Sequence, residues 1–235
     1  MSEAIYAGID FDLPTLVNEE SEKKLEEYEK QMQRYKDEEA QKRYEKSGVP
    51  QKFWKESFET YEVSSEQEIK AYDTVRNFAD KPNNRVLILC GENGTGKSHL
   101  GSSVIRQYGG EYITSSMLCI KYDSATGYKA DMTREQILLH FSIVKMLVID
   151  ECCKYFLDEK LEKFLLMLII CMRYENNLPT ILITNGNKQP FIQFLGKAVY
   201  DRLTEVCTTI EFNGESKRKF AREEYVKPAS EEVEF

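Results

Sequence analysis

Three glycines and a lysine stand where an apolar run breaks off. Val86-Leu87-Ile88-Leu89-Cys90 leads straight into Gly91-Glu92-Asn93-Gly94-Thr95-Gly96-Lys97-Ser98, followed by His99. The octapeptide fits the pattern G-x-x-x-x-G-K-[ST], whose chemistry is the binding of a nucleotide's phosphates. Glycines let the backbone curl until several N–H groups point at one anion. A helix starting near Lys97 adds the positive end of its dipole. Lys97 is then the ligand of the β- and γ-phosphates and the Ser98 hydroxyl a ligand of Mg²⁺. The run from Gly91 to His99 forms the candidate nucleotide contacts. The competing reading is a glycine-rich turn without a ligand, and the strand before it argues against that.

Further along the chain stand other groups of matching chemistry. Met146-Leu147-Val148-Ile149-Asp150-Glu151 is an apolar run ending in two carboxylates. Ligands bind at the carboxyl ends of parallel strands, which would set Asp150 beside the phosphate loop. Asp150 suits Mg²⁺, held through water, and Glu151 suits the polarisation of an attacking water. A strand that simply meets solvent with acidic residues is the bland alternative. Pro179 to Thr184 is another apolar run, closed by Asn185 and Gly186. Asn185 is a candidate γ-phosphate or water contact, and Asn-Gly is equally a common turn. Arg202, in Asp201-Arg202-Leu203, and Arg218, in Gly214-Glu215-Ser216-Lys217-Arg218, are either phosphate-directed guanidinium groups or surface arginines.

These groups need elements to position them. The expected strands are 85–90, 111–115, 145–150, 179–184 and 207–212, with helical stretches between them. Such alternation predicts an α/β fold: a five-stranded parallel sheet covered by helices on both faces. Ser64-Ser65-Glu66-Gln67 has the form of a helix cap for a helix running to about Asp80. Phe53, Trp54, Phe58 and Tyr61 form an aromatic cluster suited to packing on the sheet domain. The run Phe164 to Met172 is about half the length of a membrane span and reads as a core helix. The chain therefore divides into an arm at 1–48, a connector at 49–84, a core at 85–220 and an acidic tail at 221–235.

The arm is rich in Glu, Lys, Gln and Arg from Glu19 to Lys46, all good helix formers. Leu25, Tyr28, Met32 and Tyr35 recur at helical spacing as one narrow apolar stripe. The stripe lies on the chain's own core, docks on a partner, or pairs with a second copy in a short coiled coil. The net charge of −8 is uneven: −5 over 1–48, −3 over 221–235 and zero between. A bulk electrostatic nucleic-acid binder would be basic, so any such contact is a local patch. Six scattered cysteines without a C-x-x-C pair, and no leader-like N-terminus, point to a reducing cytoplasm and no structural metal. No run of about 18 apolar residues is present, so no membrane contact is expected.

Taken in order, the phosphate loop, Val148-Ile149-Asp150-Glu151, Thr184-Asn185, Gly196-x-x-x-x-Asp201-Arg202-Leu203 and Gly214-x-Ser216-x-Arg218 resemble the AAA+ ATPases of the DnaC-like helicase loaders and their IstB-like transposition relatives. The segment Gly48 to Val63 is similar to what these proteins carry before their ATPase core, and the resemblance covers about 48–220. It implies hydrolysis of ATP with Mg²⁺, with Asn185 as sensor 1 and Arg218 as sensor 2. Arg202 becomes an arginine finger acting on a neighbouring subunit of a ring or spiral. It further implies loading of a replicative helicase, docked through the arm, onto single-stranded DNA. The alternative within the family is an ATPase helper of a DNA transposase. The implied DNA contact follows the second strand, where Lys121, Tyr122, Tyr128 and Lys129 offer cations and aromatic faces that stack on bases. Two departures from the wider superfamily are expected: the 17 residues after Arg218 are too few for a helical lid, and the arm has no cysteines for a zinc module. The implied setting is a bacterial cytoplasm, with the gene in the host or a phage.

Overall fold

The computed structural model describes residues 19–82, 85–126, 131–153 and 158–218. The chain separates into two compact units, Met1–Gln41 and Lys42–Phe235. The first unit is, in its described part, helix: α1 runs Glu19–Glu45 and continues into the second unit. Leu25, Tyr28 and Tyr35 are 58–60% exposed on it and Met32 37%. Its surface carries i,i+4 pairs such as Lys30 with Glu26 at 3.8 Å and Gln33 with Asp37 at 2.8 Å. Such exposed pairs contribute only a few tenths of a kcal/mol each.

The second unit holds a five-stranded parallel sheet. Its strands are β1 (Val86–Gly91), β2 (Glu111–Thr114), β3 (Leu147–Cys152), β4 (Thr180–Thr184) and β5 (Cys207–Phe212), ordered β2-β3-β4-β1-β5. Helix α2 (Glu66–Asp80) precedes the sheet, and helices fill the crossovers: α3 (Lys97–Tyr108), α4 (Ser115–Ser124), α5 (Arg134–Ile143), α6 (Glu159–Glu175), α7 (Lys188–Leu195) and α8 (Lys197–Val206). The interior strands β1 and β4 are buried along their whole length, whereas the edge strands β2 and β5 are partly exposed and carry polar residues. Alternate residues serve opposite cores: Ile88, Ile149 and Leu182 face α4 to α8, while Leu89, Val148 and Ile183 face α2 and α3. No helical lid follows β5 among the described residues, and no described helix is long and apolar enough to cross a membrane. All six cysteines are free.

Two boundaries differ from the sequence expectation. The third strand begins later and runs on to Cys152, through a register shift against β4 between Ile149 and Cys152. Glu151 has φ 59° there and Cys153 φ 64°, both left-handed. Strands carrying such irregularities re-aim their side chains, and periodicity does not reveal them. Residues 115–124 form α4, one of the two helices between β2 and β3. Thr114 caps it by accepting the Met117 N–H at 3.2 Å. Leu118 and Cys119 are its buried apolar residues, too few to give a helical pattern in a ten-residue window.

The connector belongs to the second unit. Phe58 and Tyr61 are buried in the α2–α3 core, with Phe53 and Trp54 packed beside them. Tyr61 stacks on Tyr72 of α2 with centroids 5.8 Å apart. At the far end of the sheet the buried Arg173 donates to Thr180 Oγ1 and to the carbonyls of Phe141, Val144 and Pro179 at 2.7–2.9 Å. Burial lowers its pKa to about 10. Four hydrogen bonds to neutral oxygens offset the desolvation of this cation and tie α5, α6 and β4 together.

Candidate nucleotide site

The phosphate loop crosses from β1 to α3 at the carboxyl end of the sheet. Gly94 and Gly96 have φ of 83° and 92°, which L side chains rarely adopt. A Cβ on Gly96 would stand 2.6 Å from Tyr61 Cε2, and one on Gly94 3.0 Å from Ser216 Cβ. The glycines are thus required by conformation and by close neighbours alike. Lys97 is only 3% exposed. Its ammonium donates to the Gly91 carbonyl at 2.9 Å, the Glu92 carbonyl at 2.5 Å and Thr95 Oγ1 at 3.2 Å. The cation is therefore held inside the curl of the loop that the sequence pattern defines.

Around this loop the fold gathers the other strand ends. The N–H of Gly91 donates to the Gly186 carbonyl at 3.1 Å, which sets the β4 tip, with half-buried Asn185, against the loop's first residue. Asp150 is 4% exposed on β3. Its Oδ1 accepts the Glu151 N–H at 2.6 Å, and its Oδ2 accepts the hydroxyl of Tyr112. Burial, and next the Asp150 carboxylate, push the Tyr112 phenol pKa well above its ordinary value. Glu151 sits in the left-handed region, a conformation costing about 1–3 kcal/mol that persists where surrounding structure enforces it.

That enforcement comes partly from Glu162 in the first turn of α6. This carboxylate is 5% exposed. It accepts the Cys153 N–H at 2.6 Å and the Ser115 hydroxyl at 2.5 Å, joining the β3 turn to the start of α4. Glu162→Ala leaves two donors without this partner. The expected loss is about 1–3 kcal/mol, seen as a Tm lowered by about 2–4 °C for each kcal/mol in a domain of this size. A melting curve unchanged by the substitution would refute this role.

The closing segment meets the loop as well. The Lys217 N–H donates to the Gly94 carbonyl at 2.9 Å. The Lys217 ammonium lies 3.9 Å from the Tyr61 ring centroid and 3.6 Å from Glu68. Arg218, one residue on, is exposed beside it. Sequence reasoning singled out Arg218 and passed over Lys217, Tyr61 and Tyr112, none of which belongs to a phosphate-loop pattern. The His99 ring is engaged by the connector, with Glu56 at 2.6 Å and the Ser57 carbonyl at 2.8 Å. Only its backbone remains for the loop's ligand.

The remaining sequence candidates lie elsewhere. Arg202 is exposed on α8, its guanidinium 3.5 Å from Cys171 Sγ on α6. Cys171 is near the α6 C-terminus, and α6 descends from the β3 tip toward the start of β4. Arg202 therefore sits away from its own phosphate loop. Lys121 is exposed on α4 and borders a cavity of about 680 Å³ along the β2 edge, with Lys46, Met117 and His140. Tyr122 is half-buried, between Arg134, 5.0 Å from its ring centroid, and Phe164 at 6.4 Å. Tyr128 and Lys129 lie outside the described residues.

A parallel sheet in this order, with a phosphate loop after an interior strand and paired carboxylates two strands away, defines an AAA+ P-loop ATPase core. The chain belongs to the family of IstB-like ATP binding proteins, whose family model matches residues 18–224. It is similar to the replicative helicase loader DnaC of Escherichia coli K12, 28% identical over 169 residues that make up 69% of each chain. The loader of the same name from Buchnera aphidicola is 25% identical over 170 residues, 67% of each chain. Among solved structures, the DnaC helicase loader superposes with a TM-score of 0.60 at 20% identity, covering 70% of this chain and 100% of that one. DnaI superposes with a TM-score of 0.57 at 18% identity, covering 72% and 94%. The protein is accordingly a DnaC-like AAA+ ATPase that uses a nucleotide.

Proposed function

We propose that this ATPase loads a replicative DNA helicase onto single-stranded DNA. The observation that carries the reading is the match to the E. coli replicative helicase loader over 69% of both chains. Lys97 binds the β- and γ-phosphates, and the curled loop amides hold the phosphate oxygens. Ser98 and Asp150 are the hard oxygen donors that Mg²⁺ takes, Asp150 through water, and the buried Asp150 carboxylate, held at both oxygens, supports the fit. Mg²⁺ neutralises charge on the phosphates. Glu151 orients and polarises the attacking water; its enforced left-handed backbone turns it out of the strand's regular alternation. Asn185 serves as sensor 1 at the β4 tip. Arg218 serves as sensor 2, with Lys217 beside it. Arg202 reaches the γ-phosphate of a neighbouring copy in a ring or spiral.

Single-stranded DNA runs along the α4 side, over Lys121 and Tyr122 together with Tyr128 and Lys129. The division into arm (1–48), connector (49–84), core (85–220) and acidic tail (221–235) stands as part of the proposal, as does a bacterial cytoplasmic setting, in the host's or a phage's service. The exposed stripe of Leu25, Tyr28, Met32 and Tyr35 docks the helicase. The family's IstB-like description favours one second reading, an ATPase helper of a DNA transposase. Its core would be the same, and the long acidic arm helix argues for the loader.

The test is binding of the full chain to the purified replicative helicase of its host, against the double variant Tyr28→Glu, Met32→Glu. New carboxylates in an apolar contact should weaken binding by about tenfold or more while ATP turnover by the free protein stays as it was. Equal binding by both proteins would remove the arm from the contact. No binding to the helicase, with capture of a transposase instead, would favour the second reading.

A further inference from the structure

Tyr112 belongs to no phosphate-loop motif, yet its hydroxyl holds the carboxylate read as an Mg²⁺ ligand. The residue is 3% exposed on β2, its ring buried in the α2–α3 core. In the β2–β3 register Tyr112 stands opposite Val148, and Thr114 opposite Asp150. A long aromatic side chain reaches this diagonal neighbour two residues up the adjacent strand. Asp150 receives its hydroxyl there.

We propose that Tyr112 is a positioning residue for the nucleotide-bound Mg²⁺, orienting the Asp150 carboxylate. The inference rests on reading this site as one for ATP with Mg²⁺. A phenol has one proton and accepts through its oxygen lone pairs. Its proton goes to Asp150 Oδ2. On Asp150, Oδ2 is fixed by the phenol and Oδ1 by the Glu151 N–H at 2.6 Å. Both oxygens keep a further lone pair, and the plane of the carboxylate cannot rotate without breaking a buried hydrogen bond. Tyr112 is itself anchored from outside the site: its N–H donates to the Ser47 carbonyl at 2.8 Å. Outer partners that orient metal ligands in this way typically govern metal affinity by about 10–100-fold.

Tyr112→Phe removes the hydroxyl and keeps the buried ring. The measurement is the affinity of a fluorescent non-hydrolysable ATP analogue, with Mg²⁺ titrated and again with Mg²⁺ chelated, alongside the melting temperature. The expected result is a Mg²⁺ requirement shifted upward by about tenfold or more, with binding under chelation unchanged. Lys97 and the loop amides, which set the metal-free affinity, are untouched by the substitution. An identical Mg²⁺ dependence in the variant overturns the inference. Equal weakening with and without Mg²⁺ also overturns it, because a packing defect does not discriminate between the two conditions. Wild-type binding that gains nothing from Mg²⁺ sinks the underlying reading of the site instead. Direct Mn²⁺ binding, followed by its electron paramagnetic resonance signal in the presence of the same analogue, gives a second readout independent of turnover.

Discussion

Lys97→Ala is expected to abolish ATP turnover, with a loss of roughly 10²–10³ or more. The ammonium is buried within the curl, within 2.5–3.2 Å of two loop carbonyls and Thr95 Oγ1. A triphosphate concentrates negative charge at the β- and γ-phosphates, and the loop amides supply only partial positive charges there. Removing the one full positive charge of the loop takes away ground-state binding and still more of the stabilisation of the transferring phosphoryl group. The same ammonium also braces two loop carbonyls, so alanine removes packing and bracing along with the charge. Lys97→Met takes the packing out of that comparison. It keeps the apolar stem and the volume, and loses only the charge and its hydrogen bonds. Both variants should be folded, with ATP turnover at background. Turnover within a few-fold of wild type in Lys97→Met would end the reading of this loop as the catalytic phosphate site.

The second large effect concerns Arg202. Its alanine variant should lose turnover by roughly 10³–10⁵, the range typical of arginine fingers. Within one chain the guanidinium rests 3.5 Å from Cys171 Sγ on α6, toward the end of the sheet opposite the phosphate loop. It is exposed there, so it is available to a neighbour. An added cation is useful because Lys97 and Mg²⁺ do not balance all the charge of a triphosphate. Action between subunits has a signature that action within one does not. Lys97→Ala and Arg202→Ala proteins, each inactive, should recover part of the turnover when mixed. Some interfaces then pair an intact loop with an intact finger. The assay is ATP hydrolysis across a range of mixing ratios, with co-assembly measured in parallel. Co-assembly without recovery would rule out action in trans, and turnover per chain independent of protein concentration would rule out the assembly.

What was legible in the sequence was legible because its physics is local. The phosphate loop shows itself through glycines at positions whose φ is positive, and Gly94 and Gly96 have φ of 83° and 92°. Each interior strand shows as an unbroken apolar run because both of its faces are covered, as with the fully buried β1 and β4. Carboxylates at the end of one such run announce Asp150 and Glu151, since strand ends of a parallel sheet share one rim. The start of α2 was readable from Ser65, which accepts the Glu68 N–H at 3.2 Å.

Other features are set by pairs that are far apart along the chain. Tyr112 meets Asp150 across 38 positions and Ser115 meets Glu162 across 47. Lys217 reaches Gly94, and Arg173 gathers the carbonyls of two other elements, with nothing in their own neighbourhoods to mark them. The order β2-β3-β4-β1-β5 likewise has no local signature, because the interior strands are all buried apolar runs and any neighbour would satisfy their ladders. Periodicity records which face of an element is buried, never what it is buried against. The loop chemistry therefore stands in the string of residues, whereas the hydroxyl that fixes Asp150 and the carboxylate that braces the Glu151 turn do their work only once the sheet has brought β2, β3 and α6 to one rim.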